Sequence, residues 1–382
     1  MITEKLYYKD AYIKEFNATV LSCLMCGDKY EIILDKSAFF PEEGGQSADT
    51  GFIDGSAVVA VKERDGVIYH TALSPVEVGK TVLCRLDFDI RFEKMQIHTA
   101  EHILSGLFHS EYGIENVGFH LGDTEVTMDT SAPITEQIAD RIEALANSVV
   151  YANKQVSAEI YSPDDAKGKK YRAKLEFTSD VRLVEIEGVD LCACCAPHVA
   201  STGEIGLIKI LKLESHKGGT RIYMLAGARA YRYISEIYKT LTKVSAMLSA
   251  PPLSADSELS KLLEAKLRTE RELSCIKESY AVSIAKSQPY TDKNLVCYFD
   301  FADRAELRSA VKAMKERTDG IAVALGKSDK GYSFVMLGDG DISPLVKKAT
   351  AALMGKGGGR GAMAEGSFGA SLEEITSLLL EL

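Results

Sequence analysis

The hydrophobic and polar residues over positions 1–90 alternate with a period of two, which is typical of short β-strands. Two pairs of such segments are each joined by a turn dipeptide, Gly27-Asp28 in one pair and Asp65-Gly66 in the other. A loop with paired glycines, FFPEEGGQSADTG, lies between the two pairs. The pattern predicts a small β-barrel or sandwich over residues 1–90.

The period changes to that of a helix after Arg91, where apolar residues recur up to Phe108 and Gly113 provides a stop. A second helix is predicted from about Thr135 to Ala152. Strands are predicted around the segments VSAEIY, VRLVEIE, GEIGLIKIL and TRIYMLAG. We therefore predict an α+β domain over residues 91–227.

From Ala228 the pattern becomes that of a long helix. Its apolar residues alternate spacings of three and four, as in a coiled-coil seam: Ile234, Ile237, Leu241, Val244 and Leu248. Pro251-Pro252 interrupts the helix, and a charged helix follows to about Lys286. We predict a helical hairpin over residues 228–288 that spaces domains or forms a homodimer. An ordinary two-helix packing layer is the alternative, because the seam lasts barely two heptads.

The remaining segment, residues 289–382, alternates strand and helix patterns and predicts a small α/β domain. It contains MGKGGGRGAMAEGSFG, which we interpret as a binding loop because it is too rich in glycine for a regular element. The whole chain is thus predicted to be an α+β multidomain protein.

The amino-acid composition and net charge indicate which class of protein this is. The chain has 382 residues, with 45 Lys and Arg against 55 Asp and Glu, which gives a net charge of −10 at pH 7. The 46% of hydrophobic residues fits an ordinary globular protein. The N-terminus has no export signal and no apolar run is long enough to span a membrane, so we expect a cytoplasmic protein. The acidic balance argues against indiscriminate nucleic-acid binding.

Two short motifs carry metal-binding chemistry. His98 and His102 are four residues apart in HTAEH, so a helix places both imidazoles on one side, about 6 Å apart along its axis. Cys194 and His198 share the spacing of four in DLCACCAPHV. Three imidazoles and one thiolate form a mixed ligand set that points to zinc.

Alternatives to this ligand set remain at the sequence level. Cys192 or Cys195 could replace Cys194, although only Cys194 has the spacing of four to His198. Glu101 does not directly follow the first histidine, so the H-E-x-x-H pattern of metalloproteases is absent from this motif.

These motifs, preceded by FFPEEGGQSADTG, resemble the editing domain shared by alanyl-tRNA synthetases and the free-standing alanyl-tRNA editing proteins called AlaX. The segment LVEIEGVDLCACCAPHVASTGEIGLIKIL is similar to the block that carries the second half of the family's zinc site. The helical stretch and GKGGGRGAMAEGSF resemble the C-terminal domain of alanyl-tRNA synthetase. This order is the one expected of the long form of AlaX.

The resemblance implies a zinc-dependent hydrolase that removes a wrong amino acid, chiefly serine and also glycine, from tRNA(Ala). It implies no aminoacylation activity, because no synthetase core precedes the editing motifs. It assigns the metal to His98, His102, Cys194 and His198, catalysis to Ser37 and Gln46, and substrate binding to Gly44 and Gly45. It assigns tRNA contacts to C-terminal residues, namely Lys356, Gly358, Gly359 and Arg360.

This sequence departs from the family pattern at a few positions. Ser37 stands where the family often has threonine, and Glu43 stands where it often has a third glycine. The family's CGGTH is CCAPH here, which leaves Cys194 and His198 in place. Two other functions stay open: a non-catalytic tRNA-binding protein with a structural zinc, and a zinc hydrolase that acts on another acyl ester.

Overall fold

A computed structural model of the chain describes residues 2–122, 125–173, 179–329 and 331–382. The chain divides into two compact units, Met1–Thr240 and Leu241–Leu382. Across the described residues there are eight α-helices and five sheets, which confirms the predicted α+β multidomain class. The finer division into four segments stays a prediction.

The first part of the N-terminal unit consists of short strands. They are β1 (Glu4–Lys5), β2 (Glu15–Cys26), β3 (Lys29–Leu34), β4 (Lys36–Ser37), β5 (Gly51–Ile53), β6 (Ser56–Arg64), β7 (Val67–Ala72) and β8 (Thr81–Leu86). Six of them pair in the closed order β2-β3-β7-β6-β5-β8 and form a barrel. Both predicted hairpins are present, with turns at Gly27-Asp28 and Asp65-Gly66. Alternating apolar side chains fill the interior, among them Ile32, Leu34, Ile53 and Ile68.

The second part of this unit mixes helices and strands. In chain order these are α1 (Phe88–Tyr112), β9 (Asn116–Leu121), β10 (Val126–Thr130), α2 (Glu136–Tyr151), β11 (Val156–Tyr161), α3 (Pro163–Ala166), β12 (Val181–Ile186), β13 (Asp190–Ala193), β14 (Ile208–His216), β15 (Gly219–Ala226) and α4 (Gly227–Leu248). An antiparallel sheet has the order β14-β15-β10-β9, and a second has the order β11-β12-β13.

Helix α1 is buried all round over residues 94–106, rather than along one stripe. Its apolar residues join the largest core of this unit, together with α2, β10 and β15. It nevertheless carries several polar side chains within the same stretch. Because an unpartnered polar group is costly in a protein interior, each of these side chains needs a partner from a neighbouring element.

A buried ion pair ties α1 to the barrel. Arg91 Nε lies 2.9 Å from both carboxylate oxygens of Asp49, and the two side chains are almost completely buried. The same guanidinium donates to the carbonyl oxygens of Ala11 and Ala38, at 3.2 and 2.6 Å. Removing one partner of such a pair generally costs about 3–5 kcal/mol, because a buried charge is left unpaired. The contact therefore fixes α1 against the loop that precedes β5.

The C-terminal unit is an α/β structure. It contains α5 (Ala255–Ser287), β16 (Leu295–Phe299), α6 (Arg304–Lys315), β17 (Ala322–Ser328), β18 (Gly331–Leu337), α7 (Ser343–Ala352), β19 (Lys356–Arg360), β20 (Met363–Phe368) and α8 (Leu372–Glu381). One sheet has the order β16-β17-β18-β20-β19, with only its first pair parallel. Helices α5 and α6 cover one face, and α7 and α8 cover the other.

The glycine-rich segment is not the loop that we expected from its composition. Lys356–Arg360 forms β19, an edge strand that pairs with β20. Close packing explains Gly357 and Gly359. A Cβ atom on Gly357 would lie 2.7 Å from the Phe334 ring, and one on Gly359 would lie 2.1 Å from the Met363 carbonyl oxygen of β20. The absence of side chains therefore lets this strand approach its neighbour instead of preventing a strand.

No helix among the residues that the structure describes has the length and apolar character needed to cross a bilayer.

Candidate metal centre

The four side chains that the sequence pairs as metal ligands meet in the N-terminal unit. His98 and His102 come from α1, and Cys194 and His198 come from the segment after β13. One ligand atom from each residue lies within 4.8 Å of the others. Cys194 Sγ is 3.6 Å from His98 Nε2 and 3.4 Å from His198 Nε2. The three imidazoles are almost completely buried.

Backbone contacts hold the segment that carries Cys194. Its N–H donates to the carbonyl oxygen of Arg182 on β12, at 3.1 Å. The Arg182 guanidinium in turn donates to the carbonyl oxygens of Cys194 and Ala196, at 2.8 and 3.0 Å. The contacts with β12 thus fix the position of the Cys194 thiol.

Each imidazole has an acceptor facing its Nδ1 atom. His98 Nδ1 donates to Gln46 Oε1 at 2.9 Å. His198 Nδ1 donates to Thr99 Oγ1 at 3.0 Å, while the Thr99 hydroxyl donates to the Met95 carbonyl. His102 Nδ1 lies 3.2 Å from Asp190 Oδ2, at ion-pair distance but without the alignment of a regular hydrogen bond.

These outer contacts favour one tautomer at all three rings. A proton on Nδ1 leaves the lone pair of Nε2 available, and in His98 and His198 the Nε2 atom faces Cys194 Sγ. Metal-binding histidines in proteins commonly have this arrangement, with a carboxylate, hydroxyl or amide behind each ring. The donor set and its outer partners therefore fit a zinc ion.

The electrostatics select one cysteine out of three. Burial alone would raise the pKa of Cys194, but its contacts with the imidazoles of His98, His198 and His102 hold it well below its usual range. Burial raises the pKa of Cys192 to about 11 and also raises that of Cys195. Of the alternatives left open by the sequence, Cys194 is the residue that lies with all three imidazoles as a thiolate.

The imidazoles differ in their affinity for protons. Burial would lower the pKa of His102, but its contacts with Asp190 and Cys194 raise it well above its usual range. Burial lowers the pKa of His198 to about 3. The Cys194 thiolate and the protonated His102 thus form a charge pair. A divalent cation that binds such a cluster takes the place of the imidazole proton.

Asp190 is itself held by a cation. Arg172 Nε and Nη2 donate to its two carboxylate oxygens, each at 2.7 Å. Burial would raise the pKa of Asp190, but the hydrogen bonds from Arg172 and the contact with the His102 ring hold it below its usual range. The carboxylate facing His102 is therefore charged and fixed in orientation.

A cavity of about 820 Å³ opens onto the cluster, a volume typical of small-ligand sites. His98, His102 and Cys194 form part of its wall. Other lining residues are polar, aromatic or backbone-exposing: Tyr8, Gly44, Gly45, Glu101, Phe119 and Arg182. The cluster is thus accessible from one side, although its imidazoles are buried.

The predicted glycine pair lies in the cavity wall. Gly45 has a φ of +81°, and a Cβ atom there would lie 2.4 Å from the Phe119 carbonyl oxygen. The Leu121 N–H donates to the Gly45 carbonyl at 2.7 Å. Only glycine allows this close approach to β9 in this conformation.

Ser37 and Gln46 are not among the residues that line the cavity. Gln46 lies behind His98, and its Nε2 atom is buried without a hydrogen-bond partner in the described part of the chain. Ser37 lies inside the barrel, 2.8 Å from His70 Nε2, and accepts a hydrogen bond from the Phe39 N–H. Their assignment to catalysis stays a prediction.

The C-terminal residues that the resemblance assigns to tRNA lie on the edge strand of the other unit. Lys356, Gly358, Gly359 and Arg360 are all exposed on β19. Ser343 Oγ, at the start of α7, donates to the Gly359 carbonyl at 3.1 Å. Their role in binding also stays a prediction.

The sequence interpretation missed Thr99, Asp190 and the cavity position of Glu101. Asp190 lies four residues before Cys194, and Thr99 directly follows His98. Neither position has a spacing that signals a partner for an imidazole. For Thr99 and Glu101 the available signal was polarity on a helix that also carries many apolar residues, since a buried polar residue needs a partner. Asp190 lies on β13 and had no such signal.

Comparisons with known proteins extend over the whole chain. The model of the "tRNA synthetases class II (A)" family matches residues 3–90, and that of the "Threonyl and Alanyl tRNA synthetase second additional domain" matches residues 181–223. The alanine–tRNA ligase of Pyrococcus abyssi is 31% identical over 387 residues, covering 95% of this chain and 42% of the ligase. The chain therefore spans less than half the length of the ligases that it matches.

Two editing proteins are similar over most of their own length. Alanyl-tRNA editing protein AlaX-L of Pyrococcus horikoshii is 27% identical over 404 residues, covering 100% of this chain and 98% of that protein. Alanyl-tRNA editing protein Aarsd1-A of Xenopus laevis is 30% identical over 278 residues, covering 67% of each chain.

The carboxylate behind His102 gives a test of the metal centre. We expect Asp190→Asn to weaken zinc affinity about 10–100-fold, because the neutral amide no longer supports the basicity and orientation of the ring. Chelator competition measures the affinity, and the absorption spectrum of the cobalt(II) form reports the ligand geometry. Asp180→Asn, at an exposed position on the cavity wall, is the matched control. Equal zinc affinities for the two variants would contradict the expectation.

Proposed function

This chain belongs to the family of alanyl-tRNA editing proteins, and from that membership and the geometry of the metal centre we propose that it hydrolyses mischarged tRNA(Ala). Ser-tRNA(Ala) is the proposed main substrate and Gly-tRNA(Ala) the second, which gives the protein a role in translation fidelity in the cytoplasm. The observation that carries the proposal is the convergence of three imidazoles and the sulfur of Cys194 at an open cavity.

The proposed cofactor is zinc, held by His98, His102, Cys194 and His198. A zinc ion bound there supplies Lewis-acid polarisation of the ester carbonyl or orients the attacking water. Gln46, Thr99 and Asp190 hold the three rings so that Nε2 faces inward. The backbone of Gly44 and Gly45 forms a wall against which the end of the substrate can lie.

We propose that Ser37 and Gln46 act through other groups and not by direct contact with the ester. Gln46 fixes the orientation of His98 through its Oε1 atom. Ser37 accepts from the Phe39 N–H, at the start of the segment that leads to Gly44 and Gly45. Both residues would thus shape the cavity wall and the ligand set, which favours positioning roles.

Deacylation by the full chain tests the proposed function. We expect wild-type protein to hydrolyse Ser-tRNA(Ala) and to leave Ala-tRNA(Ala) intact. The double variant Cys194→Ala/His198→Ala should lose about 100-fold or more in rate, because half of the ligand set is removed. Release of labelled serine gives the rate, with Cys195→Ala as the matched control because Cys195 lies outside the ligand cluster. Equal rates for the double variant and wild type would refute the zinc-centred mechanism.

A non-catalytic tRNA-binding protein with a structural zinc is the second candidate. Four protein ligands are typical of closed structural sites, and this observation favours it. That function predicts tRNA binding without release of serine, and unfolding of the N-terminal unit when zinc is removed. The deacylation assay therefore separates the two candidates.

The tRNA partner is proposed to lie against basic residues of the C-terminal unit. Lys347 and Lys348 are exposed on α7, and Lys356 and Arg360 are exposed on the neighbouring β19. The exposed glycines between the last two residues have no side chains to shield the backbone groups of this edge strand that do not pair with β20. Such a surface suits a phosphate backbone, since charge and bare N–H groups both favour phosphate oxygens.

Charge reversal tests this surface. We expect Lys356→Glu/Arg360→Glu to weaken binding of tRNA(Ala) and to reduce the slope of log affinity against log salt by about two, because two phosphate contacts are lost. Fluorescence anisotropy over a salt series measures both quantities. Lys312→Glu, on α6 at the other face of the sheet, is the control. An unchanged slope in the double variant would remove these residues from the tRNA contact.

The helical segment is proposed to form a homodimer. Ile234, Ile237 and Val244 on α4 are 40%, 48% and 39% exposed, which leaves much of the predicted apolar seam uncovered. Burial of such a stripe against a second copy removes apolar surface from water.

Solution mass tests the dimer. We expect multi-angle light scattering to give twice the chain mass for wild type and the monomer mass for Ile237→Asp/Leu241→Asp, because the charges cannot be buried in an apolar seam. Lys243→Asp, at an exposed polar position of the same helix, should remain dimeric. A monomeric wild type, or a dimeric double variant, would contradict the proposal.

A further inference from the structure

Glu101 is a buried carboxylate that the metal centre does not use. It lies on α1 between His98 and His102, is only 4% exposed, and lines the cavity. A residue three positions after His98 lies beside it on the helix surface, so Glu101 faces the same cavity as the metal ligands. It is not part of the group whose ligand atoms converge on the metal position.

Neutral donors hold this carboxylate at one oxygen. Asn116 Nδ2 donates to Oε1 at 2.5 Å, and the Ser105 hydroxyl donates to the same atom. Within the described ranges, no Lys, Arg or His forms an ion pair with Glu101, and Oε2 accepts no hydrogen bond. The nearby cation Arg172 donates from Nε and Nη2 to Asp190, and its charge acts on Glu101 without a direct hydrogen bond.

A carboxylate that is so largely buried is stabilised by a cationic donor, and the cavity leaves room for one at Oε2. Asn116 and Ser105 fix its orientation without neutralising it. The free oxygen therefore forms a receptor for a small cationic donor that enters the cavity beside the metal centre.

We infer that Glu101 binds the α-ammonium group of the aminoacyl ester, an inference that rests on the proposed function. Aminoacylation gives the end of the RNA a primary amine, which is largely protonated at pH 7. Uncharged tRNA has no cation at this position. Glu101 lines the same cavity as His98, His102 and Cys194, so an ammonium on Oε2 would hold the ester in the cavity that the His–Cys cluster faces, and hydrolysis would remove the group that Glu101 holds. Glu101 thus distinguishes charged from uncharged tRNA and favours release of the product.

A non-hydrolysable ligand tests the contact separately from the reaction. The probe is the 3′-amide analogue of seryl-adenosine, compared with its N-acetyl derivative, which has no charge on the amine. Calorimetry with the zinc-loaded full chain gives both affinities for wild type and Glu101→Gln. We expect the substitution to weaken the free-amine analogue about 10-fold or more and to leave the N-acetyl analogue within about 2-fold, because a charge-assisted hydrogen bond is lost only with the former.

Glu115→Gln is the matched control. Glu115 is an exposed carboxylate at the edge of the same cavity, and it is already paired with His109 at 2.6 Å. We expect this variant to bind both analogues like wild type. Equal weakening of both analogues by Glu101→Gln, or no weakening of either, would overturn the inference. Loss of zinc from Glu101→Gln would also overturn it, because Glu101 would then belong to the metal centre.

Hydrolysis of Ser-tRNA(Ala) is measured in parallel, so that the proposed hydrolase function and the proposed Glu101 contact can be refuted independently. Wild-type protein that binds the free-amine analogue but leaves Ser-tRNA(Ala) intact would refute the proposed hydrolase and retain the ammonium contact. Wild-type protein that hydrolyses Ser-tRNA(Ala), with equal affinity of the wild type and Glu101→Gln for the free-amine analogue, would refute only the contact.

Discussion

The N-terminal unit depends on one constraint: polar side chains of the buried helix α1 must find partners inside the protein. Arg91 pairs with Asp49, Gln96 donates to the Glu204 carbonyl, and His98 donates to Gln46. Further along the helix, Thr99, Glu101 and His102 contact His198, Asn116 and Asp190. These partners come from the barrel, from β9, and from the segments around β13. Pairing the polar side chains of α1 therefore brings this helix, the barrel, β9 and the segments around β13 together, and the cavity lies among them.

The sequence predicted the parts of this arrangement that depend on local geometry. Spacing of four residues identified His98 with His102, because on a helix such spacing places side chains on one face. The same spacing identified Cys194 with His198, although this segment is irregular and its shape depends on the contacts with Arg182. Turn dipeptides identified both barrel hairpins for the same reason. The contacts of Asp190 and Glu101 depend on which strand lies beside α1, and a single sequence contains no local pattern for that. The glycine-rich strand β19 was wrongly expected to be a loop, since its glycines follow from the position of Phe334 and the backbone of β20.

The three cysteines around β13 illustrate how burial and charge divide neighbouring residues of one type. Cys192 and Cys195 are surrounded by protein that disfavours a negative charge, so their thiols keep their protons. Cys194 has the same degree of enclosure, but three imidazoles lie against its sulfur. A thiolate is the reactive and metal-binding form of cysteine, so of these three cysteines only Cys194 is suited to metal binding. The departure from the family's CGGTH to CCAPH thus adds a thiol without adding a ligand.

The Arg91–Asp49 pair also connects the barrel to the helix that carries His98 and His102, although neither Arg91 nor Asp49 contacts a ligand atom of the His–Cys cluster. Gln46 and Asp49 belong to one loop, which therefore contacts α1 twice, at His98 through Gln46 and at Arg91 through Asp49. Any molecule that binds the folded cluster and not the unfolded chain adds its binding free energy to the stability of the elements whose folding creates the site. A ligand that binds the His–Cys cluster therefore also raises the stability of the barrel, although the barrel lies outside the cluster.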